Sequence, residues 1–449
     1  MSGLIAATVY WARILRQPID ARLKRRHVGG FLIFAVAFVL LALWAGQQTG
    51  ALDGFFWGEF LGVTAVYLFS WSLVLATRLR ALEPVFGGLD RMYRWHRSTA
   101  VVGFFMLVPH VVLTMTPRGQ SASRLGDALG VLSLFGLSAL VVVSLSQVAK
   151  LIRLRYEPWL LIHRTTGLLV MAAVVHGALV DPMLRSSLLL QVTYLSIGGL
   201  GVLAYLYKEL AARLTDQPSA YTVQRVERPT ADRLDVTLAA AGTPLKVRSG
   251  QFLFFNFQET SQGTHQGAQA AQWHPFSVAG VGDDGSLRLS IKALGDYTQM
   301  LYERLGVGEK AGVSGPYGMF DITLGGTRQL WIAGGSGVAP FMGWLRQPGA
   351  LGGRRIDFYY SVRTPAEALY LDEIQAVAAR EPGLRVHLIV TSIQGHLTAQ
   401  QLQRQSGGPL GKAHVFLCGP AQMVESLTRD LRALRVPADQ IHSEQFAFR

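Results

Sequence analysis

The sequence predicts a multidomain membrane protein, in which a six-helix transmembrane bundle is followed by an antiparallel β-barrel and then by an α/β domain with a parallel sheet. Three observations predict this class. The 449 residues are too many for one ordinary core. Half of them are hydrophobic, and the long apolar runs are concentrated between residues 28 and 210. Beyond residue 217, short alternating strands come first, and an alternation of strands and helices follows.

The apolar runs predict six spans within a transmembrane domain of residues 28–212. Their predicted bounds are 28–46, 57–77, 97–115, 128–149, 160–180 and 189–209. Residues 1–27 are expected to form a cytoplasmic or interfacial segment, because basic residues follow its short apolar stretch, unlike in a cleavable signal. The soluble domains are predicted at 218–324 and 328–449, with a flexible Gln/Gly/Ala-rich insertion at 258–273.

The charge distribution favours a membrane over a nucleic acid as the partner. The formal net charge is +13, but the basic residues do not form one face or one tail. They cluster at alternate ends of the apolar runs, as expected for loops on the cytoplasmic side. We therefore predict a multi-pass protein of the plasma or inner membrane with both termini in the cytoplasm and no nucleic-acid partner.

Four histidines lie in two of the predicted spans, with His96 and His110 at the third and His163 and His176 at the fifth. Ionisable groups inside a membrane are costly and usually functional. Because both spans begin on the cytoplasmic side, His96 and His163 share a depth near the inner face. The other two share a depth near the outer face. Two such pairs could hold two metal centres; the alternative is that each histidine is a hydrogen-bonded packing residue.

The spacing within the two spans differs. Fourteen residues separate the histidines of the third span, which is close to four helical turns, so that they share a face. The thirteen residues of the fifth span do not give a shared face on an ideal helix, so we expect either a kink or an irregular turn near Gly167, or two ligands that approach at different angles. The chain has one cysteine, Cys418, so neither a disulfide nor a cysteine-ligated metal cluster can form within it.

Six spans with two histidine pairs at these spacings resemble the ferric reductase-like transmembrane domain shared by NADPH oxidases and ferric reductases. The resemblance implies two b-type haems, one bound by His96 and His163 and the other by His110 and His176. The His-Arg-Ser/Thr-Thr sequence repeats at both inner ligands. It suggests that Arg97 and Arg164 pair with haem propionates; the alternative is that these arginines only mark the cytoplasmic side.

The soluble half contains His274-Pro275-Phe276-Ser277, then residues 291–298 and then Gly315-Pro316-Tyr317-Gly318. In this order they resemble the flavin domain of the ferredoxin-reductase family. The resemblance implies bound FAD, with Phe276 packed on the isoalloxazine and Ser277 hydrogen-bonded near flavin N5. The remaining residues implied to contact FAD are His274, Pro275, Lys292, Gly295, Tyr297 and Thr298.

A buried strand at 329–333 runs into a glycine-rich loop that opens a helix. Glycines let the backbone approach a phosphate, and the helix N-terminus attracts it, so this context predicts dinucleotide binding. The candidate residues are Gly334, Gly335, Gly337 and Pro340. After the next strand, Ser361 and Arg363 could hold a ribose 2′-phosphate, which favours NADPH and leaves NADH possible.

In the family that the soluble half resembles, a Cys-Gly-Pro turn lies beside the nicotinamide, which here implies Cys418 and Gly419. Members also place an aromatic residue near the C-terminus over the flavin. Phe446 matches this residue best, and Phe448 competes for the role.

Together these features predict electron transfer from cytoplasmic NADPH through FAD and two haems to an acceptor outside, with Ser277, Cys418 and Phe446 as the catalytic residues. Oxygen, giving superoxide, is the first candidate acceptor. A ferric or cupric chelate is the second, and a quinone or another protein the third. No obligate protein partner is expected. The alternative class is a non-catalytic membrane redox sensor.

Overall fold

The computed structural model describes residues 28–115, 123–145, 148, 151, 156–212, 217–258, 273–406 and 408–444, and gives no side-chain environment at 156, 157 and 258. The predictions for residues 1–27, for most of the 258–273 insertion and for Phe446 and Phe448 lie outside these residues. The described part forms two compact units, one of residues 28–212 and one of residues 217–444. Each unit is described by itself.

The first unit is entirely helical. Its helices are α1 (Val28–Gln47), α2 (Gly54–Ala76), α3 (Glu83–Phe86), α4 (Leu89–Thr114), α5 (Arg124–Ser144), α6 (Tyr156–His163), α7 (Thr166–Val180), α8 (Pro182–Ser186) and α9 (Leu188–Leu206), with a 3-10 turn at Arg80–Leu82 and a π-helix at Tyr207–Ala211. Six segments are long and apolar enough to cross a membrane, and α6 and α7 together form the fifth. This agrees with the six predicted spans.

The boundaries that differ most from the predicted ones are the start of the third span and both ends of the fourth, which ends at Ser144 instead of at residue 149. Helix α4 begins at Leu89, not at residue 97, because its first turns are polar and carry no hydropathy signal. His96 therefore lies within a continuous helix. Helix α5 begins at Arg124, where the Ser123 hydroxyl accepts a hydrogen bond from the backbone N–H of Gly126 and caps the helix.

The irregular turn expected in the fifth span lies between α6 and α7, two residues before Gly167. There the backbone N–H of Thr165 donates to the carbonyl of Ile162, and that of Leu168 to the carbonyl of Thr165, both at 3.0 Å. These bonds join residues three apart, as in a 3-10 turn, which has fewer residues per turn than an α-helix. The tighter turn brings His163 and His176 nearer to one face across thirteen residues.

Helix α2 occupies the interior of the bundle and is buried along most of its length, whereas the other spans are fully buried over less than a third of theirs. It packs antiparallel to α4, and α5 packs in the same way against α7. A small apolar core joins these pairs and contains Ala65, Phe69, Leu73, Leu137 and Val170. The histidine-bearing helices α4 and α7 therefore each pack most extensively on one antiparallel neighbour.

The second unit begins with a closed antiparallel barrel of strand order β1-β2-β5-β4-β3-β6. Its strands are β1 (Ser219–Thr230), β2 (Arg233–Ala240), β3 (Phe252–Gln258), β4 (His274–Val281), β5 (Leu287–Lys292) and β6 (Lys310–Tyr317), and helix α10 (Asp296–Arg304) lies between the last two. Alternate residues point inward, as Leu234, Val236 and Leu238 of β2 do. The predicted antiparallel barrel is confirmed.

A five-stranded parallel sheet of order β11-β10-β7-β8-β9 follows. Its strands are β7 (Arg328–Gly334), β8 (Arg355–Val362), β9 (Leu384–Val390), β10 (His414–Cys418) and β11 (Ile441–Glu444); the helices around it are α11 (Ala339–Leu345), α12 (Leu371–Ala378), α13 (Thr391–Gln394), α14 (Ala399–Gln405) and α15 (Ala421–Ala433). The predicted α/β domain is confirmed. Because β7 and β10 are neighbours, the glycine loop and the Cys-Gly-Pro turn share one edge of the sheet.

Candidate functional site

The four membrane histidines form two facing pairs. The ring centres of His96 and His163 are 6.0 Å apart, and those of His110 and His176 are 6.5 Å apart, with the rings inclined by 76° and 81°. With about 2 Å for each metal–nitrogen bond and about 1 Å from nitrogen to ring centre, two imidazoles on opposite sides of one metal ion stand about 6 Å apart. Both pairs therefore have the separation that a shared metal ion requires.

Each histidine also hydrogen-bonds through its second ring nitrogen. Nδ1 of His110 lies 2.8 Å from the carbonyl oxygen of Gly58, and Nδ1 of His176 lies 2.8 Å from that of Gly126. Nδ1 of His96 lies 2.8 Å from the carbonyl oxygen of Ser72. A carbonyl oxygen only accepts, so Nδ1 carries the proton and Nε2 keeps a lone pair for a metal ion.

His163 is held by side chains instead of by the backbone. Its Nδ1 lies 3.2 Å from the hydroxyl oxygen of Ser144, to which the indole N–H of Trp159 donates, also at 3.2 Å. The Trp159 ring stacks on the imidazole, with 4.8 Å between ring centres and 18° between planes. This ring is therefore fixed by one hydroxyl and one aromatic face.

Glycines make room for the two outer rings. A Cβ atom on Gly62 would lie 2.7 Å from the His110 ring, and one on Gly130 would lie 2.6 Å from the His176 ring. Each glycine follows, four residues later, the residue whose carbonyl oxygen accepts from that ring, so α2 with α4 and α5 with α7 build the outer pair in the same way. Sequence reasoning missed these residues. The available signal was two glycines four residues apart in the second and fourth spans, a spacing typical of close helix contacts.

The two arginines beside the inner pair differ in their surroundings. Arg164 forms an ion pair with Glu209 of the π-helix, in which its Nε–H is shared between the two carboxylate oxygens at 2.9 and 3.1 Å and its NH2 group donates to one of them. Sequence reasoning missed Glu209. Arg97 is exposed. The propionate-binding role of both arginines stays a prediction.

Strand β4 carries the His-Pro-Phe-Ser motif of the barrel. Ser277 is buried, and its hydroxyl has no hydrogen-bond partner among the described residues, which fits a flavin ring nitrogen as the missing partner. Phe276 lies on the opposite face of the strand, against the barrel core, with its ring centre 6.0 Å from that of Phe255. Its packing on the isoalloxazine stays a prediction.

The other predicted FAD contacts gather around the start of α10. The His274 ring stacks on Tyr297, with 3.6 Å between ring centres. The hydroxyl of Thr298 accepts hydrogen bonds from the backbone N–H groups of Leu294 and Gly295 at 2.9 and 3.1 Å, which closes the turn into the helix. Lys292, on the neighbouring strand, has its Nζ 3.5 Å from a carboxylate oxygen of Asp232.

The glycine loop meets the Cys-Gly-Pro turn backbone to backbone. A Cβ atom on Gly337 would lie 2.1 Å from the carbonyl oxygen of Cys418, so only glycine fits there. Gly335 has a φ of 52° and open space where a Cβ would be, and Pro340 lies in the first turn of α11. This is the close backbone approach and helix N-terminus that a nucleotide diphosphate requires.

The predicted 2′-phosphate residues follow β8. Ser361 lies directly beside Gly334 in the register of β7 and β8, so it shares the edge of the sheet with the glycine loop. The Arg363 side chain is exposed, with its Nε 3.7 Å from a carboxylate oxygen of Glu367. Such a surface ion pair is weak, so it leaves the guanidinium able to turn toward a phosphate.

Cys418 is fully buried at the end of β10, opposite Glu444 in the register of β10 and β11. Burial, and then the negative charge of Glu444, raises the pKa of its thiol well above the usual value. At neutral pH the side chain is therefore an uncharged thiol.

This geometry predicts slow chemical modification of Cys418. The only cysteine of the chain should react with a maleimide much more slowly in the native protein than after denaturation, because the thiolate is the reactive species. The native rate should also stay low at pH 9, where an exposed thiol is largely ionised. Mass spectrometry of timed samples measures both rates, and rapid labelling of the folded protein would contradict the burial of Cys418 and the raised pKa of its thiol.

Comparison with known families agrees with this division of the chain. Residues 61–174 match the ferric reductase like transmembrane component, residues 219–321 match an FAD-binding domain, and residues 331–429 match the oxidoreductase NAD-binding domain. The three matches follow one another in this order and do not overlap.

Curated relatives match part of the chain. The reductase component of propane 2-monooxygenase from Rhodococcus jostii is 31% identical over 34% of this chain and 44% of its own length. The ferredoxin reductase component of 3-ketosteroid-9-alpha-monooxygenase from Mycobacterium tuberculosis is 28% identical over 45% and 55%. This chain thus spans about half the length of these relatives. Among solved structures, a flavohemoglobin from Malassezia yamatoensis is similar in fold, with a TM-score of 0.50 and 17% identity over 94% of this chain and 99% of that one.

The fold, the six spans and these matches define a class: a multi-pass membrane oxidoreductase with FAD-binding and NAD-binding domains. More specifically, a ferric reductase-like transmembrane domain followed by these two domains is the architecture of the NADPH oxidase and ferric reductase family.

Proposed function

We propose that this protein transfers electrons from NADPH in the cytoplasm to an acceptor on the outer side of the plasma or inner membrane. One observation carries the proposal: two imidazole pairs lie at two depths of the bundle, each with the separation of two ligands on one metal ion. A b-type haem fits each pair, since a porphyrin supplies the four other ligands of its iron. Both termini would lie in the cytoplasm, with His96 and His163 nearest to it.

When bound, FAD would take hydride from NADPH, and the haems would carry single electrons across the bilayer. The protein itself would bind and position these groups. The glycine loop at Gly334, Gly335 and Gly337 would bind the diphosphate of the nucleotide, and Ser361 with Arg363 its 2′-phosphate. Ser277 would hydrogen-bond the flavin near N5. The four Nδ1 hydrogen bonds would keep each Nε2 aimed at iron.

Oxygen is our first candidate acceptor, with superoxide as the product of one-electron transfer. A ferric chelate is the second, and the match of the bundle to a ferric reductase like transmembrane component favours it.

Optical spectra of the purified full-length protein test the proposal. NADPH under anaerobic conditions should reduce the same two haems that dithionite reduces. If dithionite reduces them and NADPH does not, the protein is not an NADPH-driven enzyme, and the sensor alternative gains support.

Turnover then identifies the acceptor. With oxygen as the only acceptor, dye reduction that superoxide dismutase suppresses supports an oxidase. NADPH consumption that requires a ferric chelate supports a reductase. Turnover with neither would direct attention to a quinone or a protein acceptor.

Replacing Gly130 with alanine should remove the outer haem. The added methyl group would overlap the His176 ring, which cannot move away without breaking its bond to the Gly126 carbonyl. Haem content per polypeptide should fall from about two to about one, and the reduced spectrum should lose one component. Gly199→Ala is the matched control, because nothing lies near the position of its new Cβ. Two haems retained in Gly130→Ala would contradict the outer-pair assignment.

Two substitutions separate the roles of Arg164. If its guanidinium holds a propionate, Arg164→Ala should lower inner-haem occupancy severalfold, whereas Glu209→Gln, which frees the arginine, should not. Haem content and the midpoint potential of the inner haem are the readouts. Equal loss in both variants would show that Arg164 only pairs with Glu209. The double variant Arg97→Ala, Arg164→Ala then tests whether the two arginines act together.

A further inference from the structure

One arginine of the sheet domain makes three contacts, one of which reaches the barrel. Arg346, which follows α11, forms a bidentate ion pair with Glu373 of α12 at 2.8 and 2.7 Å. Its NH1 also donates to the carbonyl oxygen of Ala279 in β4 at 2.9 Å. The guanidinium lies over the Tyr370 ring, 4.9 Å from its centre. A planar group with five N–H donors can make these contacts together, and a lysine cannot.

The acceptor of the bond between Arg346 and β4 lies next to the flavin motif. Ala279 is two residues after Ser277 and sits at a break in the register between β4 and β5. A bulge of this kind takes a carbonyl out of the strand ladder. The Ala279 carbonyl is therefore directed to another domain, and it accepts from Arg346.

Helix α11, which Arg346 follows, begins at the nucleotide loop. Helix α11 opens directly from the loop at Gly335–Val338, and Arg346 follows its last residue. The same helix packs on β4, where a Cβ on Gly343 would lie 3.0 Å from the carbonyl oxygen of Val278. The indole N–H of Trp344 donates to the carbonyl of Ser249 in the barrel at 3.0 Å. One rigid segment thus connects the phosphate loop to the barrel.

Tyr370 has a strained backbone and makes a second hydrogen bond between the sheet domain and the barrel. Its backbone has a φ of 59°, in the left-handed region that a non-glycine residue rarely adopts. Its hydroxyl donates to a carboxylate oxygen of Asp235 in β2 at 2.6 Å. Strained backbone persists where its surroundings hold it and is found at functional sites. Here Arg346 lies over the ring and Asp235 accepts from the hydroxyl.

We propose that Arg346 is a positioning residue for hydride transfer, which fixes the flavin strand β4 against the helix that opens from the nucleotide loop. The inference rests on the proposed function. In the step it serves, one hydride passes from the nicotinamide of NADPH to the flavin and leaves NADP⁺ and reduced flavin. A hydride carries two electrons and one proton. Hydride transfer is very sensitive to the distance between the reacting rings, because a displacement of about 1 Å can cost about a hundredfold in rate.

The test measures flavin reduction in the full-length protein by anaerobic stopped-flow absorbance over a range of NADPH concentrations. Arg346→Gln should lower the limiting rate roughly ten- to hundredfold. Arg346→Lys, which keeps the charge and not the geometry, should recover only part of the loss. Tyr370→Phe should cause a smaller loss in the same direction. FAD content, unfolding temperature and the dissociation constant for NADP⁺ should stay close to wild type, because the binding loops are intact.

Arg385→Gln is the matched control. This arginine pairs with Asp357 within the sheet domain, at 2.8 Å, and does not join it to the barrel. Its loss should leave the limiting rate unchanged. Wild-type rates in all Arg346 variants would overturn the proposal. So would a rate loss that follows a matching loss of FAD or of stability, since the role would then be structural. A wild-type flavin that NADPH leaves oxidised would overturn the proposed function itself, and this role with it.

Discussion

The proposed double use of each membrane histidine, with one ring nitrogen for a metal ion and the other for a hydrogen bond, is the constraint on which the bundle depends. An imidazole can offer Nε2 to a metal ion only if its other nitrogen has a partner, and unpaired polar groups are costly in a bilayer. Helix backbone normally has no carbonyl oxygen to spare inside a span. Here α2 and α5 present the carbonyls of Gly58, Ser72 and Gly126 to rings on neighbouring helices. The close helix contacts, and the glycines that permit them, follow from this requirement.

Much of the architecture could be predicted from the sequence, and what could not has identifiable causes. Long apolar runs and strand alternation are local signals, so the spans, the barrel and the parallel sheet emerged in the right order. The direction of each span assigns a membrane depth to its histidines, and the four histidines could be paired because their depths match. The start of α4 was misplaced, since its first turns are polar and hydropathy does not register them. The irregular turn after His163 lies near Gly167, where it was expected.

The partners of the site residues were beyond local reasoning. The residues that contact the Nδ1 atoms lie 19 to 52 positions away from their histidines, and Glu209 lies 45 positions from Arg164. No periodicity connects such positions; only the packing of helices does. Likewise, Arg346 and Ala279 belong to different domains, so neither residue carries a signal of the other. Sequence patterns predict which groups face a cofactor, and they carry no signal of the groups that hold those residues in place.

The four rings differ in the kind of atom that supports them. The outer rings and that of His96 rest on peptide carbonyls, which every amino acid possesses, so no single side-chain replacement can remove those acceptors. Nδ1 of His163 instead contacts the Ser144 hydroxyl, and one substitution removes this contact. The basicity of the His163 imidazole is therefore open to adjustment by mutation, while that of the other three is set by the main chain. In the proposed electron path, a change at His163 would alter the energy step between the two haems from the inner end.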